Sequence, residues 1–156
     1  MMKGKLYSAC VQSVLVYGSE TWASKSEDVQ RMQSTERMMV RWMCGVSLKD
    51  AKSSQELLDC MGILGVAERL RHGSLRWFGH VERKGEDDWV SRCRDLVVEG
   101  YRGRGRGRKS WMECVGQDMK ALRLRREDAG DREGWRRGIL GDCPTRARAE
   151  SRTLKR

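Results

Sequence analysis

Apolar residues recur at spacings of three and four along most of this chain, the period of helices that bury one face. Between Lys5 and Tyr17, the positions Leu6, Tyr7, Val11, Val14 and Leu15 fit that period, and Gly18 follows where a helix-ending glycine belongs. Ser19, Glu20, Thr21 and Trp22 then read as a turn closing on one large aromatic. The clearest helix runs from Glu27 to Cys44. Ser26 stands where it can cap it, Glu27 and Asp28 place negative charge on its first turn, and Gly45 ends it. Val29, Met32, Met39, Val40 and Met43 share its apolar face, while Arg31, Glu36, Arg37 and Arg41 fall mostly on the opposite one.

Ser53 and Glu56 frame a capping box ahead of Leu57 and Leu58, predicting a two-turn helix that closes at Gly62. Val66, Leu70, Trp77 and Val81 give the stripe of the next helix, whose middle is weakened at Gly73 by about 1 kcal/mol relative to alanine. Lys84 to Asp88 is a polar loop, and the pattern from Val90 to Glu99 fits helix and strand equally. Gly100 to Lys109 alternates arginine with glycine; no core can form there, so it reads as a flexible linker. Ser110 and Glu113 frame a second capping box, followed by the amphipathic set Trp111, Cys114, Val115, Met119 and Leu122. Around Glu127 to Leu140, Gly130, Gly134 and Gly138 fall on one stripe at about 1 kcal/mol each, so the sequence does not commit that stretch to a stable helix. From Pro144 onward, disorder is expected.

The expected fold is all-α: short amphipathic helices in two small clusters joined by a flexible Arg/Gly linker. The segments are a helical one over 1–83, a polar and basic linker over 84–109, a small helical one over 110–141 and a disordered basic tail over 142–156. Such short helices are marginal alone, so their stability must come from packing on each other.

Charge changes the picture more than composition does. The 156 residues carry Lys+Arg 32 against Asp+Glu 22, a net +10 that favours polyanions. The excess is uneven. Arg102, Arg104, Arg106, Arg108 and Lys109 follow one another with no acid among them, and the tail holds Arg146, Arg148, Arg152, Lys155 and Arg156 against Glu150. Apolar residues make up only 38% of the chain, too few to pack all of it into one core. The six cysteines contain no C-x-x-C pair, and neither a secretory signal nor a membrane-length apolar run is visible. Reduced thiols in the nucleus or cytoplasm, an intracellular location and no membrane partner are the expectation.

Several words in the chain carry a family resemblance. Leu6 and Tyr7, followed by Val14, Leu15, Val16, Tyr17, Gly18, Ser19, Glu20, Thr21 and Trp22, resemble the L-Y-x(6)-V-L-x-Y-G-S-E-T-W signature that follows the polymerase core in non-LTR retrotransposon reverse transcriptases. The run from Arg37 to Val46 resembles the next block, and Leu75 to Arg83 is similar to that family's L-R-W-F-G-H-V-x-R. The Arg/Gly stretch into Trp111, then Asp118 and Met119, Asp131 and Arg132, and Trp135 to Arg137, match its tail. The resemblance spans about Lys5 to Leu140 in five ordered blocks. It implies the thumb side and C-terminal segment of an endonuclease–reverse transcriptase, a segment that contacts template RNA or target DNA. The chain also departs from the family. Asp87 and Asp88 lie in a polar loop without the flanking strands of a metal-binding aspartate pair, and the endonuclease part is missing. Gly105, Arg106 and Gly107 stand where the family has Gly-Arg-Pro, and glycines at 73, 116, 130, 134 and 138 replace helix formers. The expectation is a truncated, partly decayed copy without catalytic activity.

The candidate nucleic-acid-binding residues are therefore Arg102, Arg104, Arg106, Arg108 and Lys109, each able to reach a backbone phosphate and release counterions. The competing reading is a charge run that is merely solvated. No fixed element there can enter a groove, so contacts to RNA or DNA would be independent of sequence. Trp22, Trp42, Trp77 and Trp111 can stack on bases or anchor helix contacts; the positions of Trp77 and Trp111 favour the second. Cys60, His72, His80 and Cys93 have spacings of twelve, eight and thirteen that fit no zinc finger, so neither metal nor cofactor is expected. No serine, cysteine or acid has the context of a nucleophile. Two functions remain in view: a non-catalytic nucleic-acid-binding fragment, or a helical protein-interaction fragment or remnant without selected activity. A polymerase core of a related element is the second expected partner.

Overall fold

The computed structural model describes residues 2–94, 96 and 109–141, and every regular element among them is helical. Helix α1 (Met2–Leu6) runs through a π-helical stretch (Tyr7–Gln12) into α2 (Ser13–Leu15). A 3-10 turn at Ser19–Thr21 leads to α3 (Ser26–Cys44), a second turn at Leu48–Asp50 to α4 (Ser54–Met61), and α5 (Val66–Glu82) follows. Then come α6 (Trp89–Arg94), α7 (Trp111–Ala121), a 3-10 turn at Arg126–Gly130 and α8 (Arg132–Gly141). The protein is all-α, as its periodicity predicts. The expected flexibility of the Arg/Gly linker and the disorder of the 142–156 tail concern stretches outside the described residues, Lys109 excepted.

Local chemistry sets most of the boundaries. Both capping boxes form: the Glu56 amide donates to Ser53 Oγ at 3.1 Å and the Glu113 amide to Ser110 Oγ at 3.2 Å, with each glutamate accepting from its partner's own amide. Gly45 and Gly62 end α3 and α4 in the left-handed region, φ 65° and 66°, where a Cβ would be strained. The start of α3 differs from expectation. Lys25 takes the capping position, Ser26 is already helical, and no side chain caps the end. The ambiguous stretch after residue 89 is helical over Trp89–Arg94.

Two apolar cores are present. In the first, Tyr7, Val40, Leu57, Leu58 and Ile63 meet, flanked by Met39, Met43 and Met61. In the second, Leu75 and Phe78 from α5 meet Val115, Ala129, Trp135 and Ile139. Helix α5 also packs on α3 and takes its N-terminal cap from Glu36, so it touches both halves of the molecule, and segment 110–141 packs on a helix from segment 1–83. This explains why its buried positions outnumber the single stripe read from the sequence: α5 is covered by α3, α7, α8 and the 3-10 turns at 19–21 and 126–130. Trp77, placed on that stripe from sequence, is half-buried and lies against His80 with ring centroids 5.4 Å apart.

Helix α8 forms despite its glycines, for a steric reason. At Gly79 a Cβ would collide with the Trp135 indole; its absence leaves a notch in α5 into which Trp135 sinks. The indole Nε1 then donates to the Leu75 carbonyl at 2.9 Å, four residues before Gly79. Gly138 has the same role on α8 itself, where a Cβ would meet the Leu124 side chain. Burying Trp135 and Ile139 offsets the weak helix propensity that the sequence alone registers.

The first core is built around a carboxylate. Glu36, read from sequence as part of the polar face of α3, is only 4% exposed. Its Oε2 accepts from the Val66 amide at 2.8 Å, which caps α5 from another helix because Gly65 has no side chain to do so. Its Oε1 accepts from Gln12 Nε2, also at 2.8 Å. Gln12 donates as well to the Leu64 carbonyl and accepts from Arg69, which also donates to Ser8. Buried polar groups are retained when they find partners in this way.

Candidate nucleic-acid interface

The 3-10 turn at Ser19–Thr21 packs on α5 and is fixed to α7, because Trp111 Nε1 donates to the Glu20 carbonyl at 2.8 Å and Cys114 Sγ to the Ser24 carbonyl at 3.7 Å. Between this turn, the first half of α3, the middle of α5 and one face of α7 lies a half-open groove of about 340 Å³. That volume is at the lower end for small-molecule sites.

Its lining is mixed. Trp22 forms part of the wall and is 45% exposed. Arg71 from α5 reaches across to α7, its Nε 3.3 Å from Asp118 Oδ1. Burial pushes the Asp118 carboxyl up, against the pull of Arg71 and Lys109. Ser74, one helical turn beyond Arg71, is 7% exposed, and its hydroxyl has no hydrogen-bond partner among the described residues. Gln30, Gln33 and Gln117 add amides. The groove therefore offers an aromatic face, two cations, one carboxylate and neutral polar groups within a single concavity.

Of the five cations singled out in the sequence, Arg102, Arg104, Arg106 and Arg108 lie outside the described residues. Lys109 is described, is half-buried and lines this groove, directly before the Ser110 cap of α7. Arg71, Ser74 and Asp118 were not among the binding residues expected from the sequence. No local motif marks them; the spacing of Arg71 and Ser74 on one helix face was the available signal, and Asp118 joins them only through packing.

The tryptophans divide into two sets. Trp135 is buried, and Trp77 and Trp111 are half-buried against neighbours, in keeping with their helical positions. Trp22, Trp42 and Trp89 are exposed, and the Arg92 guanidinium lies 5.7 Å from the centroid of the Trp89 ring. The residues weighed as zinc ligands are dispersed in character: His72 is buried, and Cys60, His80 and Cys93 are exposed. Burial, then Arg71 and Arg76, push His72 below the usual imidazole range. Among the described residues there is no group of three or more histidines, cysteines or acids placed to hold a metal. No described helix is long and apolar enough to cross a membrane. Comparison with known proteins finds no family, no curated protein and no solved structure that matches this chain.

Proposed function

We propose that this chain is a non-catalytic nucleic-acid-binding segment of reverse-transcriptase origin, acting in the nucleus or cytoplasm. One observation carries the reading: five cations within eight positions, Arg102 to Lys109, with no acid among them. A run of cations can follow the phosphate backbone without fixing base identity, so RNA and DNA are both suitable partners. Support comes from the last of these cations, Lys109, which lines a polar groove that also holds Arg71 and Trp22. The resemblance of the ordered blocks from Leu6 to Arg137 supplies the origin.

A filter-binding salt series on duplex DNA tests the proposal. If all five run cations engage phosphates, the logarithm of affinity falls with the logarithm of salt at a slope of about −4 to −5. Replacing the five with glutamine flattens the slope and weakens binding to RNA and DNA alike. A slope near zero in the unmodified chain sinks the proposal, and primer extension by the purified chain sinks its non-catalytic part.

A second reading has its own observation. Leu6, Val14 and Tyr17 around the first helix, and Met38 with Trp42 one turn apart on α3, are exposed, Trp42 at 84%. Such faces suit a protein partner, for which a polymerase core of a related element is the candidate. Under this reading the glutamine replacements change nothing.

A further inference from the structure

The groove beside Lys109 contains more chemistry than backbone binding requires. Tracking phosphates needs cations alone, whereas here an exposed aromatic, a carboxylate and a hydroxyl without a partner among the described residues share one concavity. Trp22 is held there by design of the local fold. Its amide donates to the Ser19 carbonyl at 3.1 Å, and the turn that carries it is tied to α7 through Trp111. Every base has a π-face that can lie on such a ring. Asp118 can accept from an exocyclic amino group, and Arg71 beside it removes the repulsion its charge would exert on a phosphate. Lys109, whose charge also acts on Asp118, supplies an ammonium for that phosphate. The buried Ser74 hydroxyl has donor and acceptor capacity that no described residue uses.

Resting on the nucleic-acid-binding reading above, we propose that this groove is a subsite for one unpaired nucleotide of a single-stranded RNA or DNA, its base on Trp22 and its edge toward Asp118 and Ser74. A paired base cannot enter, because reaching the groove requires leaving the helical stack, at a cost of a few kcal/mol. The segment should therefore prefer single strands over duplex at equal phosphate number, a preference that the cation run by itself does not produce.

Fluorescence anisotropy of the full chain with a labelled 12-nucleotide strand of adenosine and cytidine tests this, as RNA, as DNA and as the matching duplex. The expected result is that Trp22→Ala weakens single-strand binding by about 5- to 150-fold, the range for loss of one stacked base, and leaves duplex binding unchanged. Trp22→Phe should restore most of the loss. A strand carrying 5-iodouridine should crosslink to Trp22 in the unaltered chain, a readout that needs no variant to fold. The subsite is overturned if Trp22→Ala leaves single-strand binding unaltered, if it weakens duplex equally, or if the crosslink maps elsewhere. These results leave backbone binding intact. An unaltered chain that binds none of the three probes removes both the subsite and the function on which it rests.

Discussion

The two cores of this protein are built on opposite principles, although helix α5 touches both halves. The N-terminal core gathers Tyr7, Val40, Leu57, Leu58 and Ile63 around a buried carboxylate that caps α5 from a neighbouring helix. Even the Tyr7 hydroxyl there is buried without a hydrogen-bond partner among the described residues, and burial, then the charge of Glu36, push its pKa up to about 12. The C-terminal core is aromatic: Phe78 packs against Trp111 and Trp135 at centroid distances of 6.3 and 5.9 Å, and each indole donates one hydrogen bond, to the Glu20 and Leu75 carbonyls. Directional polar contacts fix the helices of the first half. Shape, in the form of a glycine notch filled by an indole, fixes those of the second. The groove lies where the two halves meet, so its geometry depends on both.

The largest expected effect is on the shape-built half. Trp135→Ala removes the most voluminous fully buried side chain and should cost about 3–5 kcal/mol in urea unfolding. Native-state hydrogen exchange would show where the loss falls: amides of α7 and α8 lose protection first, and those of α3 and α4 keep theirs. Uniform loss across both halves would mean that the two cores are one cooperative unit.

Next comes the polar half. Glu36→Ala leaves the Val66 amide and one Gln12 hydrogen without their acceptor, at about 2–4 kcal/mol for the two. Glu36→Gln keeps one acceptor oxygen and should recover part of that. Equal unfolding midpoints for the alanine and glutamine variants would show that the side chain's hydrogen bonds contribute nothing there.

Glycine substitutions sharpen the contrast at smaller scale. Gly79→Ala fills the notch and displaces Trp135, costing about 1–3 kcal/mol by overpacking, less the gain in helix propensity. Gly116→Ala, in α7, meets open space and should stabilise by about 0.5–1 kcal/mol. Thermal melts of the two should therefore shift in opposite directions.

The smallest effect is a pH dependence. Burial raises the Glu36 carboxyl above its ordinary value, more than its two hydrogen bonds lower it. The folded chain then binds a proton more readily than the unfolded one, so this group makes stability fall as pH rises from the ordinary carboxylate value through its raised one. Glu36→Gln should lack that decline. A difference curve between the two proteins that is flat, or that rises with pH across the same window, contradicts the assignment.

Several elements were legible because the forces behind them are local. Gly45 and Gly62 stop helices through their own φ, and the boxes at Ser53 and Ser110 close within four residues. The helical period over α3 and α5 follows from side chains one turn apart. Of the candidate site, the charge and one aromatic were readable: Lys109 and Trp22 line the groove, and Arg102, Arg104, Arg106 and Arg108 lie outside the described residues.

What escaped had remote causes. Glu36 on a helix face dominated by arginines is, by periodicity, a solvent residue. It is buried because the π-helical stretch and α5 bring Gln12 and the Val66 amide to it from 24 and 30 positions away. Gly79 and Gly138 look like propensity defects until Trp135 and Leu124 arrive to occupy the space they leave. The chain alone determined an all-α fold, its helix ends and its basic run, since propensity, capping and charge act over one or two turns. Tertiary packing decided which polar residue is buried, which glycine is a contact and which tryptophan faces a groove, because burial depends on neighbours that lie far away in sequence.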